Sequence, residues 1–191
     1  METLTWLALA LVGLVLLAWY LTYSAARLDR LHTKVEGSLA ALDAQIIRRA
    51  ESTLELGTAG LLDPASSLLL VDAATQSLER ANGRSAEDLL HGQTFTGREG
   101  AESNLTEALS IALTPETVAD VRVRGGEMAE EVLARIEAAA LRVQLARRFH
   151  NQAVTEVRRV RRKAIVKLFR LAGRAPLPQT VEFDDEVSVL P

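Results

Sequence analysis

Apolar residues follow two different patterns along this chain. The first is an unbroken run, "LTWLALALVGLVLLAWYLTY" from Leu4 to Tyr23, with no charge in it. The second is a series of stripes in which apolar positions recur every three or four residues. An α-helix needs roughly 20 apolar residues to cross the hydrocarbon core, about 30 Å at 1.5 Å per residue. The run meets that length. Trp6 near one end, with Trp19, Tyr20 and Tyr23 near the other, suits the two interfacial belts. A cleaved signal sequence competes with this reading, since "YSAA" offers small residues for a peptidase. The flank, however, holds Glu2 and no Lys or Arg, and the run exceeds a typical signal core. It is read as a retained anchor.

The first stripe is Leu28, Leu31, Val35, Leu39, Leu42, Ile46, Ala50 and Leu54, the signature of an amphipathic helix. Its repeat is near eleven, which keeps the stripe nearly straight. No helix-ending signal lies between Tyr23 and Gly57, so the anchor is expected to continue into this helix without a hinge. Gly57 and Gly60 are expected to stop it. Asp63 as N-cap and Pro64 at the first helical position start a second helix, expected to reach Arg80. A third is expected over Glu99 to Leu113, with Leu105, Leu109 and Ile111 as its apolar contacts. Pro115 and "VRVRGGE" (Val121 to Glu127) are weak spots. From Met128 to about Leu171 a long last helix is expected, its stripe running Val132, Ile136, Ala139, Val143, Ala146, Phe149, Ala153, Val157, Val160, Ala164 and Leu168.

These elements predict an all-α chain: an N-terminal transmembrane helix followed by an antiparallel (up-and-down) four-helix bundle with long first and last helices. Residues 1–3 form a short flank, 4–23 the anchor, 24–174 the bundle, and 175–191 an extended acidic tail marked by Pro176 and Pro178. Composition agrees. Aromatics are only 4%, and both Trp and both Tyr lie at or before Tyr23, so the bundle must pack with Leu, Ala, Val, Ile and a few Phe. Zero Cys excludes disulfides and thiolate metal sites. Arg27, Arg30 and Lys34 follow the anchor, while only the α-amino group precedes it. By the positive-inside rule the body is expected in the cytoplasm, at a plasma (inner) membrane.

Catalytic inventory is thin. His32, His91 and His150 fall on different expected elements, without an H-E-x-x-H or carboxylate–His spacing. His150 is read as a core-edge residue. No phosphate-binding Gly-rich loop or G-x-S-x-G elbow occurs. Glu99, Glu102 and Glu107 are read as the solvated face of a short helix, and "NLT" at Asn104 as a chance glycosylation match. No catalytic residue, metal or cofactor is expected.

One stretch stands apart. "LARRFHNQAVTEVRRVRRKAIVKLF", Leu145 to Phe169, holds a single acid, Glu156. Arg158, Arg159, Arg161, Arg162, Lys163, Lys167, Arg170 and Arg174 crowd its end. Three accounts compete for them. A solvated face is the plainest, and the helix macrodipole favours cations near a C-terminus. Nucleic-acid binding would need a helix-turn-helix signal or aromatic platform, and neither is present, so nucleic acid is not an expected partner. In an up-and-down bundle, though, the last helix returns toward the bilayer. Its basic end would then face anionic headgroups, each cation contributing roughly 1 kcal/mol before screening.

"LARRFHNQAV", Leu145 to Val154, resembles the signature of the LemA family on its last helix, where Ala146, Arg147, Arg148, Asn151 and Val154 match and His150 replaces the usual Tyr. "ALDAQIIRRA", Ala41 to Ala50, is similar to a second family segment at Asp43, Gln45, Arg48 and Arg49. "VEFDDE" parallels a terminal aromatic-acid motif at Phe183. About Gly57 to Arg135 resembles the family poorly: its D-L-I-P-N-L appears as "ESTLEL", and its F-P pair is replaced by arginines. The resemblance implies a divergent, membrane-anchored helical bundle of bacterial type, without a settled activity. It also implies that Arg48, Arg49, Arg147 and Asn151 join the two long helices by structural hydrogen bonds. The expected function is a non-enzymatic adaptor or scaffold at the membrane, engaging lipid and a protein partner. The alternative is a self-associating structural protein of the envelope.

Overall fold

Helix α1 runs without interruption from Glu2 to Thr58 in a computed structural model that describes residues 1–83, 95, 97–173 and 175–187. His91, Arg174 and residues 188–191 of the expected tail lie outside the described residues. Residues 2–20 of α1 are exposed throughout, and α1 is long and apolar enough there to cross a membrane. Gly37 lies mid-helix on an exposed face, where its cost is only about 0.5–1 kcal/mol relative to Ala. The expected hinge-free passage from apolar run to amphipathic helix is what the backbone does.

Four more helices follow: α2 Pro64–Asn82, α3 Glu99–Ala112, α4 Pro115–Arg161 and α5 Ala164–Leu168. Secondary structure among the described residues is entirely helical. The start signals act locally as read. Asp63 accepts from the backbone N–H of Ala65 at 2.9 Å and Ser66 at 3.1 Å, and Pro64 opens α2. Pro115 begins a helix rather than interrupting one: Thr114 caps it, and the missing proline N–H costs nothing in a first turn. α4 bends instead at Gly126, whose φ of 55° and ψ of −136° only glycine adopts readily.

Gly57 does not end α1. It lies buried inside the last turn, and Gly60 at φ 70° makes the turn toward α2. A Cβ on Gly57 would stand 2.9 Å from Val71 Cγ2 and 3.3 Å from Ser67 O, so hydrogen is what lets α1 and α2 touch. Gly57→Ala is expected to destabilise by about 1–3 kcal/mol through overpacking. An unchanged urea midpoint would show that α2 slides without cost.

α1 and α4 pair antiparallel in a constant register. Lys34 meets Glu156 at 3.3 Å, Ser38 meets His150 at 3.0 Å, and Glu55 pairs with Arg135. Leu28, Leu31 and Val35 pack on Val154, Val157 and Val160, whereas Ala50 and Leu56 pack among Val132, Leu133 and Ile136. α2 and α3 reach only the second region, through Leu70, Ala73, Leu105 and Leu109. Two long helices and two short ones would leave the rest of the α1–α4 pair half bare. α5 covers one part of it with Val166, and residues 175–187 cover the middle with Val181 and Phe183. Each such side chain contributes about 1.5–3 kcal/mol on full burial.

Several expected contacts fall elsewhere. α4 stops at Arg161 rather than near Leu171, and Lys163 is extended. In this register a straight α4 would carry Lys167 beside Tyr23 and Arg170 beside Tyr20, at the end of the apolar run. Turning at Arg162 avoids this and substitutes Val166 for Ala164 and Leu168, which are exposed. Phe149 is 63% exposed, because the stripe passes through His150 instead. Ile111 is exposed as well.

Candidate functional site

Arg49 points inward from α1 and is fully buried, 0% exposed. Nη2 donates to Glu102 Oε2 at 2.9 Å and Nη1 to Thr106 Oγ1 at 3.0 Å. Ser77 of α2 donates to the other Glu102 oxygen at 2.7 Å, and the Thr106 hydroxyl reaches Asp184 O at 2.8 Å. Burial pulls the Arg49 pKa below its ordinary value, and Glu102 pulls it back up. Two expectations are corrected here. Glu102 is not on a solvated face, although Glu107 is exposed and Glu99 caps nearby backbone by accepting from Gly97 N–H at 2.9 Å. Arg49 joins α1 to α3, not to α4. A carboxylate on a short helix looks solvated until a buried cation on another helix is placed against it.

Arg147 and Asn151 also leave α1 alone. They hold residues 175–187, which run back along α4. Arg147 grips Asp185 with Nε at 2.7 Å and Nη2 at 2.9 Å, a two-pronged pair that raises the guanidinium pKa. Asn151 Nδ2 donates to Val181 O at 2.9 Å, and Val181 N–H donates to Asn151 Oδ1 at 2.8 Å. Phe183 stacks on Phe95 with centroids 5.7 Å apart, Arg147 lies over its ring, and Arg98 lies over Phe95. Asp43 pairs with Arg98. The expected tail is therefore a strap seated in the core, with Val181, Phe183 and Asp185 buried. Arg48 and Arg148 are exposed on α1 and α4. Arg48 borders a shallow charged groove with Glu51, Glu55, Glu131 and Arg142.

His150 is buried, 2% exposed, between Ser38 on α1 and Gln179 on the strap. Nδ1 lies 3.0 Å from Ser38 Oγ, and Nε2 lies 3.3 Å from Gln179 O. Desolvation lowers its pKa below the usual value near 6.5, outweighing the two backbone carbonyls that favour the cation. The unfolded chain thus binds the proton first. Stability is held above about pH 6.5 and falls as pH drops through the depressed folded value. Melting curves at pH 7.5 and 5.5 should show this loss, and the His150→Gln variant should lose most of the difference. An equal pH slope in the variant would assign the effect to other groups.

The basic stretch divides in two. Arg158 Nε donates to Pro178 O at 2.9 Å, and Arg161 donates to Pro176 O at 2.7 Å and Ala175 O at 2.8 Å. These two arginines bind the strap. Arg159, Arg162, Lys163, Lys167 and Arg170 are exposed around the α4–α5 corner. There the backbone turns sharply, with Arg170 at φ 49° and Gly173 at φ 55°. Beside these cations Leu168 is 76% and Phe169 42% exposed. Sequence reading placed the cations but missed the strap. Beside the motif at Phe183, its signal is the alternation Val181, Phe183, Asp185, which puts every second residue on one face of an extended segment.

Among the described residues no group of three or more His, Asp or Glu side chains is placed to hold a metal ion. Compared with family models, curated proteins and solved structures, the chain finds no match.

Proposed function

We propose that this chain is a single-span membrane protein whose residues beyond the anchor form an up-and-down four-helix bundle in the cytoplasm, at the inner membrane. Its role in this reading is that of a non-enzymatic adaptor or scaffold at the membrane; the LemA-like segments support the anchored helical body and imply no settled activity. One observation carries the proposal. The exposed apolar run and the packed amphipathic stripe share one helix, so any force or partner on the body is coupled rigidly to the anchor. The cations left free by the strap at the α4–α5 corner are a surface such a protein can turn toward lipid or toward an acidic partner.

The absence of Cys makes sidedness simple to test. A single Gln152→Cys, on an exposed position, should react with an impermeant maleimide only after the cells are opened. Labelling of intact cells would overturn the cytoplasmic placement. The adaptor role is tested by co-purification from gently solubilised membranes, comparing the intact chain with Arg159→Glu/Arg162→Glu/Lys163→Glu/Lys167→Glu. Arg158 and Arg161 are left alone because they hold the strap. A partner lost only with the variant supports an adaptor; the same profile for both removes the corner from that role.

Self-association is the second reading, and one feature favours it. Leu141, Leu145 and Phe149 follow one another at i, i+4 on the exposed side of α4. Concentration-dependent oligomers in detergent, abolished by Leu145→Glu, would support a structural protein of the envelope.

A further inference from the structure

Between Val157 and Val181 the chain has eight Lys or Arg and no Asp or Glu. The fold sorts these cations by height along α1. In the α1–α4 register, Arg161 stands opposite Leu28, five residues beyond the end of the apolar run. That is about 8 Å along a helix, roughly the thickness of the headgroup layer. At this level α4 breaks. Lys163 turns extended, α5 lays Val166 onto the Leu28–Val35 layer, and Arg170 and Gly173 in left-handed backbone return the chain along α4. The inward side chains of this corner are accounted for. On its outer side Leu168 and Phe169 are left without cover, bracketed by Lys167 and Arg170. Exposed apolar side chains among cations, beside a helix leaving a bilayer, have the composition of an interfacial segment.

We infer that the turn from Arg162 to Gly173 is a second membrane contact, in which Leu168 and Phe169 enter the boundary between headgroups and acyl chains while Lys163, Lys167 and Arg170 hold anionic lipid phosphates. The inference rests on the reading that residues 4–23 span a bilayer and deepens it: the span fixes the chain to the membrane, and the corner fixes the tilt of the body against it. A solvated corner would gain nothing from placing a Leu and a Phe outward. Each cation near an anionic surface strengthens the contact about fivefold before screening.

Two probes separate this inference from the reading beneath it. Trp6 and Trp19 are the only tryptophans, and both lie in the apolar run. Their quenching by brominated lipid reports the anchor alone. Ala164 is exposed one turn from Leu168, so a bimane on Ala164→Cys reports the corner. The full-length protein is reconstituted into vesicles of phosphatidylcholine, with or without phosphatidylglycerol. Quenching of both probes is expected in the mixed vesicles. The bimane signal should fall several-fold in phosphatidylcholine alone, in Lys163→Glu/Lys167→Glu and in Leu168→Ser/Phe169→Ser, with helicity by circular dichroism unchanged. Quenched tryptophans with an unquenched bimane would overturn the second contact and leave the anchor standing. Unquenched tryptophans would overturn the anchor, and this inference with it. Equal bimane quenching in both vesicle types would overturn the role given to the cations.

Discussion

Replacing Glu102 with alanine should destabilise the helical body by about 3–5 kcal/mol, because it strands the Arg49 charge in a place without water. For a body of this size that corresponds to a fall in Tm of about 6–20 °C. Arg49→Ala should cost a similar amount, because among the described residues the side-chain hydrogen bond left to the carboxylate is that from Ser77. The combined Arg49→Met/Glu102→Leu variant should recover most of the loss, since a buried ion pair is often no more stable than an apolar pair of like volume. Ser77 would lose its Glu102 partner, about 1–3 kcal/mol where no new one is found, which sets how far the recovery falls short, whereas Thr106 keeps its bond to Asp184 O. Urea denaturation of the full-length protein in detergent, followed by far-ultraviolet ellipticity, measures all three. Single variants within about 1 kcal/mol of the parent would mean that water reaches the pair.

The second large effect belongs to the strap. Phe183→Ala removes a buried ring stacked on Phe95 and covered by Arg147, a loss of about 3 kcal/mol by analogy with core Phe truncations. The strap is held to the helices through side-chain bonds rather than a shared backbone ladder, so it is expected to open without the helices unfolding. The loss is therefore expected as local opening, about two orders of magnitude more frequent. The Val181 amide, bonded to Asn151 Oδ1, is the reporter, and its hydrogen-exchange protection should fall by that factor. Asn151→Ala removes the reciprocal amide bonds and should expose the same segment to protease. Unchanged protection in Phe183→Ala would place the hold on the strap in Arg147 and Asp185 alone.

Both effects depend on residues whose identity was plain in sequence and whose partners were not. Arg49, Arg147 and Asn151 stood out by resemblance to a family motif. The resemblance implied that they join the two long helices; instead Arg49 bonds to α3, while Arg147 and Asn151 bond to the strap. A guanidinium reaches far enough to serve any neighbouring helix, and nothing in local spacing tells which neighbour will be there. Glu102 shows the same limit from the other side. On α3 its spacing to Glu99 and Glu107 reads as a polar face, until α1 places a buried cation opposite.

The sequence by itself determined what depends on neighbours along the chain. Helical periodicity, the Asp63 cap, Pro64 and the length of the apolar run are short-range signals, because dihedral preference and hydrogen bonding act within a turn or two. The continuity of α1 through Tyr23 and the burial of its stripe from Leu28 to Ala50 follow from them. Only the tertiary structure decided where α4 ends and what the acidic segment does. The end at Arg161 lies across the pairing from Leu28, just beyond α1's apolar run, a relation between residues more than a hundred positions apart. The strap is ordered because two short helices leave half of a long pair uncovered, and that vacancy exists only once four helices have met.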